Sequence, residues 1–193
     1  MSTIQSSLQQ VTGAVLAGGL STRMGTSKHD LKLPDGRTML ETMLSLLGEV
    51  CEEVVVVAPH IVIDDLPHIH DPKPGCGPLA GVNKLLESHT NHHYLIVPCD
   101  MPHLTSKLLS ELCRPLPHDA RVFRLDSEPH PSPLPLVISS NTQLQMQRAQ
   151  QQGIRSLHRA LAHVDLEVQV LPDQQRPCLH NVNTPQDLES NHH

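Results

Sequence analysis

The chain has 193 residues, a formal net charge of −6 and, besides histidine, only two aromatic residues, Tyr94 and Phe123. That length suits one domain (residues 1–193) with a sizeable core built from Leu, Val, Ile, Ala and Met, and leaves no room for two of ordinary size. The acidic balance and the missing aromatic platforms argue against nucleic acid as a partner, and no apolar run approaches the roughly 20 residues of a membrane span.

In chain order, Val11 to Ala17 is a short apolar run ended by Gly18-Gly19, which predicts a buried strand and a tight turn. In TMLETMLSLLGEV, Thr38 followed by Glu41 is a capping box, and Leu40, Met43, Leu44 and Leu47 recur at helical spacing. Glu53 to Pro59, EVVVVAP, predicts a second strand, its near-continuous valines suiting a parallel sheet covered on both faces. An irregular segment follows around HIHDPKPGCG. Pro78 then stands at a first helical position, with Leu79, Val82, Leu85 and Leu86 as the apolar stripe to about His89. Tyr94 to Asp100, YLIVPCD, predicts a third buried strand, and Thr105 caps a short helix through Cys113.

The second half predicts strands near Arg121 to Leu125 and Leu134 to Ile138, helices near Thr142 to Gln152 and Ser156 to His163, and a strand at Leu166 to Leu171. A last helix in NTPQDLES has Thr184 as N-cap, and the Pro-rich SEPHPSPLPL reads as a loop entering a strand. Alternating strands and helices imply a three-layer α/β fold with a mostly parallel central sheet. Within it, about 11–113 forms an N-terminal part and about 114–193 a C-terminal part.

The five cysteines, Cys51, Cys76, Cys99, Cys113 and Cys178, are scattered with no C-x-x-C pair, so they read as reduced structural thiols. The 15 histidines have no carboxylate or cysteine at ligand spacing and read as solvated. The N-terminal MSTIQSSLQQVTG has neither the basic region nor the apolar stretch of a secretion signal, so a cytoplasmic location is expected.

Ligands of an open α/β sheet collect at the carboxyl ends of its strands. After the first strand, Gly18 and Gly19 let backbone N–H groups approach an anion, and Arg23 and Lys28 add positive charge, an arrangement that suits a triphosphate. The loop is neither a dinucleotide fingerprint nor a Walker loop, because the glycine and lysine spacings of both are missing. Asp100 at the end of the third strand is a lone carboxylate of the kind that holds Mg²⁺ together with phosphate oxygens and water. Asp71 adds a third loop, with Gly75, Gly77 and Gly81 permitting close backbone approach.

LAGGLSTRMGTSK, GPLAG, PCDMP and NVNTPQDL, in this order over nearly the whole chain, resemble the molybdenum cofactor guanylyltransferases, the MobA family. The resemblance implies a Rossmann-like nucleotidyltransferase that binds GTP with Mg²⁺, joins GMP to the terminal phosphate of molybdopterin and releases pyrophosphate. It further implies that Leu16, Ala17, Gly18 and Gly19 contact the nucleotide, that Arg23 and Lys28 bind its phosphates, that Asp71 belongs to the guanosine pocket and that Asp100 is the Mg²⁺ ligand. Arg155, Asn181 and Asn183 match positions on the acceptor side. Arg121 and Arg159 are further local cations for an anionic substrate pair. Val57 stands where some members carry an asparagine that contacts the nucleotide. Related cytidylyltransferases have LAAG in the first loop and usually lack GPLAG, so GTP is favoured over CTP. The other readings are a related transferase using CTP or another phosphorylated acceptor, and a non-catalytic nucleotide-binding paralogue; other proteins of molybdenum cofactor synthesis are the implied partners.

Overall fold

The structure is a computed structural model that describes residues 11–17, 31–59, 66–70, 77–88, 92–183 and 187. Strands β1 (Val11–Leu16), β2 (Glu53–Ala58), β3 (His68–His70), β4 (His93–Pro98), β5 (Ala120–Leu125), β6 (Leu136–Ser139) and β7 (Leu166–Leu171) form one sheet in the order β3-β2-β1-β4-β6-β5-β7. β6 pairs antiparallel with both β4 and β5, and the other pairings are parallel. β1, β2, β4 and β5 therefore all end at the same edge of the sheet.

Helices α1 (Met39–Gly48) and α3 (Ser106–Leu112) cover one face, where Leu40, Met43, Leu47, Leu108, Leu109 and Leu112 meet Val15, Val56, Leu95, Val97 and Phe123. Helices α2 (Pro78–Ser88), α4 (Gln143–Gln151) and α5 (Leu157–Leu161) cover the other, where Leu79, Val82, Met146 and Leu157 meet Ala14, Val55, Val57, Tyr94 and Ile96. Successive strand residues alternate between the two cores, as a pleated sheet requires. The valine run of β2 is apolar throughout because both of its faces are covered. Val57 is one of these core residues, buried under α2, and not a polar contact.

Local chemistry fixes the elements. The Thr38 side chain accepts from Glu41 N while Glu41 accepts from Thr38 N at 2.7 Å, which completes the capping box of α1. Gly13 lets α1 close onto β1, since a Cβ there would stand 3.2 Å from both Leu47 Cδ1 and Cys51 Sγ. Cys51, Cys99 and Cys113 are buried and Cys178 is half-buried, as structural cysteines should be.

Three expectations change. His68–His70 is not irregular: it forms β3, with Ile69 buried and His68 bonded through Nε2 to Ala58 O at 2.9 Å. The segment Asp173–Leu179, predicted as no element, is a 3-10 helix. Arg121 is unavailable to a substrate: its guanidinium donates to the carbonyls of Leu112, Arg114 and Pro115 and pairs with Glu167 at 2.7 Å, so it fastens the end of α3 to β5 and β7. The closing helix at Thr184 and Pro185 lies outside the described residues.

Candidate active site

Because β1 and β4 are neighbours, their ends lie side by side, and Cys99 N donates to Leu16 O at 3.2 Å. Ala17 is in turn anchored to β2 through its N–H and Val57 O at 3.0 Å. Leu16, Ala17 and Asp100 are thereby gathered at the carboxyl edge, where a nucleotide of this fold class binds. β4 ends at Pro98, so Asp100 stands in the turn beyond the strand, half-buried, with Oδ1 shielded from solvent. Gly18, Gly19, Arg23, Lys28 and Asp71 lie outside the described residues.

Asp100 is also where the C-terminal segment arrives. Val182 N donates to Asp100 O at 2.7 Å, and Val182 itself is fully buried. Asn181 and Asn183, on either side of it, are exposed beside this anchor. Asn183 N donates to Asp187 Oδ2 at 2.8 Å.

Asn181 and Asn183 line a pocket of about 450 Å³, together with Leu125, Glu128, His130, Ser132, Arg176 and His180. Its walls are the loop leaving β5 and the 3-10 helix Asp173–Leu179, and the loop sits at the same carboxyl edge because β5 runs parallel to β4. One network ties the walls together. Arg176 pairs with Glu128 at 2.7 Å and donates to Ser127 Oγ at 2.7 Å, while Ser127 Oγ donates to Asp173 Oδ1 at 2.7 Å. The Ser127 hydroxyl, helped by Arg176, holds the Asp173 carboxyl below its ordinary range.

Arg155 reaches the edge from the opposite core layer. It lies in the turn between α4 and α5 and is exposed, and a Cβ on Gly77 would stand 2.7 Å from its carbonyl oxygen. Gly77 has φ of +80° and opens α2, so this close approach welds the start of GPLAG to the Arg155 turn. Asn83 reinforces the joint by donating from α2 to Met146 O in α4 at 3.2 Å. Arg159 is exposed on α5.

Sequence reasoning missed His130, Ser132, Arg176 and His180. The signal available was the Pro- and His-rich loop after a strand end, but its place at the carboxyl edge depends on the direction of β5, which only the pairing reveals.

No cluster of three or more His, Cys, Asp or Glu that could cage a metal occurs among the described residues. Asp100 instead offers a single hard oxygen donor at a strand end. That donor set suits Mg²⁺, which takes one or two carboxylates and completes its shell with phosphate oxygens and water. No described helix is long and apolar enough to cross a membrane.

Residues 13–166 match the MobA-like NTP transferase domain family. A protein of Rhodopirellula baltica named "Probable molybdenum cofactor guanylyltransferase" is 32% identical over 91% of this chain and 89% of its own length. A Chloroflexus aggregans protein of the same name is 34% identical over 93% and 92%. Among solved structures, molybdopterin-guanine dinucleotide biosynthesis protein A from Archaeoglobus fulgidus aligns with a TM-score of 0.74 at 24% identity, covering 93% of this chain and 95% of that one. The 2-C-methyl-D-erythritol 4-phosphate cytidylyltransferase of Thermus thermophilus shares the fold with a TM-score of 0.65 at 18% identity, covering 92% and 95%.

Proposed function

Because this chain belongs to the MobA-like NTP transferase domain family and is a nucleotidyltransferase, we propose that it transfers GMP from GTP to the terminal phosphate of molybdopterin cofactor. The observation that carries this reading is the bond from Val182 N to Asp100 O, which sets the Asp100 turn against the wall of the 450 Å³ pocket. Asp100, whose carboxylate suits a metal-bound triphosphate, is thus one backbone bond from Val182, whose neighbours Asn181 and Asn183 line a cavity of the size a pterin-sized acceptor needs.

In this reading Leu16, Ala17, Gly18, Gly19 and Asp71 bind the nucleotide, and Arg23 and Lys28 hold its phosphates. Asn181, Asn183 and Arg155 position the acceptor. An acceptor phosphate oxygen attacks the α-phosphorus of GTP, the bond from that phosphorus to the bridging oxygen breaks, and pyrophosphate leaves with the electron pair. The attacking oxygen is already ionised at neutral pH, so no general base is needed. The chain's task is alignment and neutralisation of charge. Asp100 would hold Mg²⁺, which would add to the neutralisation of the phosphates. The protein then acts as one nucleotidyltransferase domain, in the cytoplasm, alongside other proteins of molybdenum cofactor synthesis.

The test is to mix the purified protein with molybdopterin cofactor, Mg²⁺ and either GTP or CTP, and to measure pyrophosphate release and the mass of the dinucleotide. A guanine dinucleotide formed only with GTP is the expected result. A cytosine dinucleotide overturns the choice of base, and no product with either nucleotide overturns the reading.

A further inference from the structure

His130 and His158 come from different parts of the chain, the loop leaving β5 and helix α5. Their rings nevertheless meet edge to face, with centroids 6.0 Å apart and planes at 73°. His130 is also a wall of the pocket described above, so the pair stands on its rim. Both side chains are exposed, and among the described residues neither ring makes a hydrogen bond.

The charge around them is unevenly committed. Arg176, the arginine of the pocket wall, is engaged by Glu128 at 2.7 Å and Asp173 at 3.4 Å. Its network therefore holds two carboxylates against one guanidinium and offers nothing to an anion. Arg155 and Arg159, which flank His158 in sequence, are exposed and make no ion pair among the described residues. Of the elements packed on α5, α2 carries Lys84 and Glu87, paired with each other at 2.7 Å, and α4 carries the exposed Arg148. His180, from the end of the 3-10 segment, is the remaining titratable group of the wall.

We propose that His130 and His158, backed by Arg155, bind the phosphomonoester of the acceptor as a protonated pair. The inference rests on the acceptor lying in this pocket, as in the proposed function. An imidazolium donates from both ring nitrogens and a neutral imidazole from only one. Two adjacent imidazoliums repel until a dianion bridges them, so phosphate binding draws protons onto the pair. The pair is then a specificity device for the charged end of the acceptor.

The first test measures KM for acceptor and for GTP between pH 6 and 8 in wild-type protein, His130→Gln, His158→Gln and the double variant. The acceptor phosphate itself gains negative charge as pH rises, which by itself favours binding at high pH. Tighter acceptor binding at pH 6 than at pH 8 therefore reads the imidazoles. The double variant should raise acceptor KM at pH 6 by about tenfold, the loss of one or two charge-assisted hydrogen bonds, and flatten its pH profile. KM for GTP should stay within about threefold of wild type, because the pair holds the acceptor and not the nucleotide. His130→Lys should restore affinity at pH 8, which a merely structural role for the ring does not predict. An acceptor KM unchanged in the double variant overturns the inference while leaving the transferase reading intact.

The second test does not require turnover. The C2 proton signals of His130 and His158, assigned from the two single variants, are followed through a pH titration with and without inorganic phosphate. Both titration midpoints should move up with phosphate. If wild-type protein makes no dinucleotide, this titration still decides the site, and midpoints that ignore phosphate overturn it.

Discussion

Asp100 and Gly77 hold the two sides of the site by different means. Asp100 contributes its carboxylate to the proposed metal-nucleotide position and its carbonyl to the Val182 anchor. Asp100→Asn preserves the shape and the backbone bond, so it should lower kcat by about 10² to 10³, the usual effect of removing one preorganised charge. Its thermal midpoint should stay near wild type, and near-normal turnover at ordinary Mg²⁺ would overturn the assignment. Gly77→Ala acts through the backbone. Its φ of +80° disfavours any L side chain, and the new Cβ would press on Arg155 O from 2.7 Å. Gly36, at φ +86° with nothing within 4 Å, isolates the conformational cost alone. Gly36→Ala should therefore cost about 1–3 kcal/mol for the strained backbone, and Gly77→Ala should cost more, by the displacement of the Arg155 turn. Thermal melts of both variants, with acceptor KM for Gly77→Ala, give the comparison. That Asp100, Asn181 and Asn183 stand in short motifs beside a predicted strand or cap was readable from the sequence, whereas their meeting through Val182 was not. The juxtaposition of Gly77 with Arg155 was not, since 77 intervening residues carry no signal of that contact.

At the scale of elements, Arg121 shows why a cation cannot be placed from its type alone. A strand arginine next to anionic chemistry suggests substrate binding. Its neighbour β7, however, places Glu167 beside it, and the last residue of α3 and the segment just after it turn three carbonyls, those of Leu112, Arg114 and Pro115, toward its guanidinium. Arg121→Met removes the donors from all three while Glu167, about a third exposed at 34%, stays solvated. The expected loss is about 3 kcal/mol in urea unfolding, and Glu167→Gln, which keeps the carbonyl contacts, should cost only about 1 kcal/mol. Equal losses would show that the ion pair, and not the helix end, carries the effect. α1 was legible down to its capping box because N-cap chemistry is local. β3 was not, because a three-residue strand with one buried side chain, Ile69, has no periodicity of its own and exists through its pairing with β2. The 3-10 helix at Asp173–Leu179 contains Pro177 and buries no residue, so no apolar pattern announces it.

For the molecule as a whole, the shifted groups confine maximal stability to a middle range of pH. Burial, and to a lesser degree neighbouring His92, holds His93 below the ordinary imidazole value. The folded state then binds fewer protons than the unfolded one, and stability falls as pH drops below about 6.5. Asp35 beside Arg37, Glu41 in the Thr38 capping box, Glu87 beside Lys84 and Asp173 beside Ser127 are all held low. Their contributions, present above the unfolded carboxylate value, are lost as pH falls below about 4. The thiols act at the other end. Burial pushes Cys51 up to about 12 and raises Cys113 as well, so the folded state keeps protons that the unfolded chain releases above about 8.5. Each thiol then adds a slope of up to about 1.4 kcal/mol per pH unit against folding. Urea midpoints should form a plateau between about pH 6.5 and 8.5, with the alkaline fall reduced in Cys51→Ala. An unchanged alkaline slope in that variant would remove the buried thiol as its cause. Acceptor KM should fall from pH 8 to pH 6 while the urea midpoint stays level down to about pH 6.5 and declines only below it, and that difference separates an effect on the binding site from a general loosening of the fold.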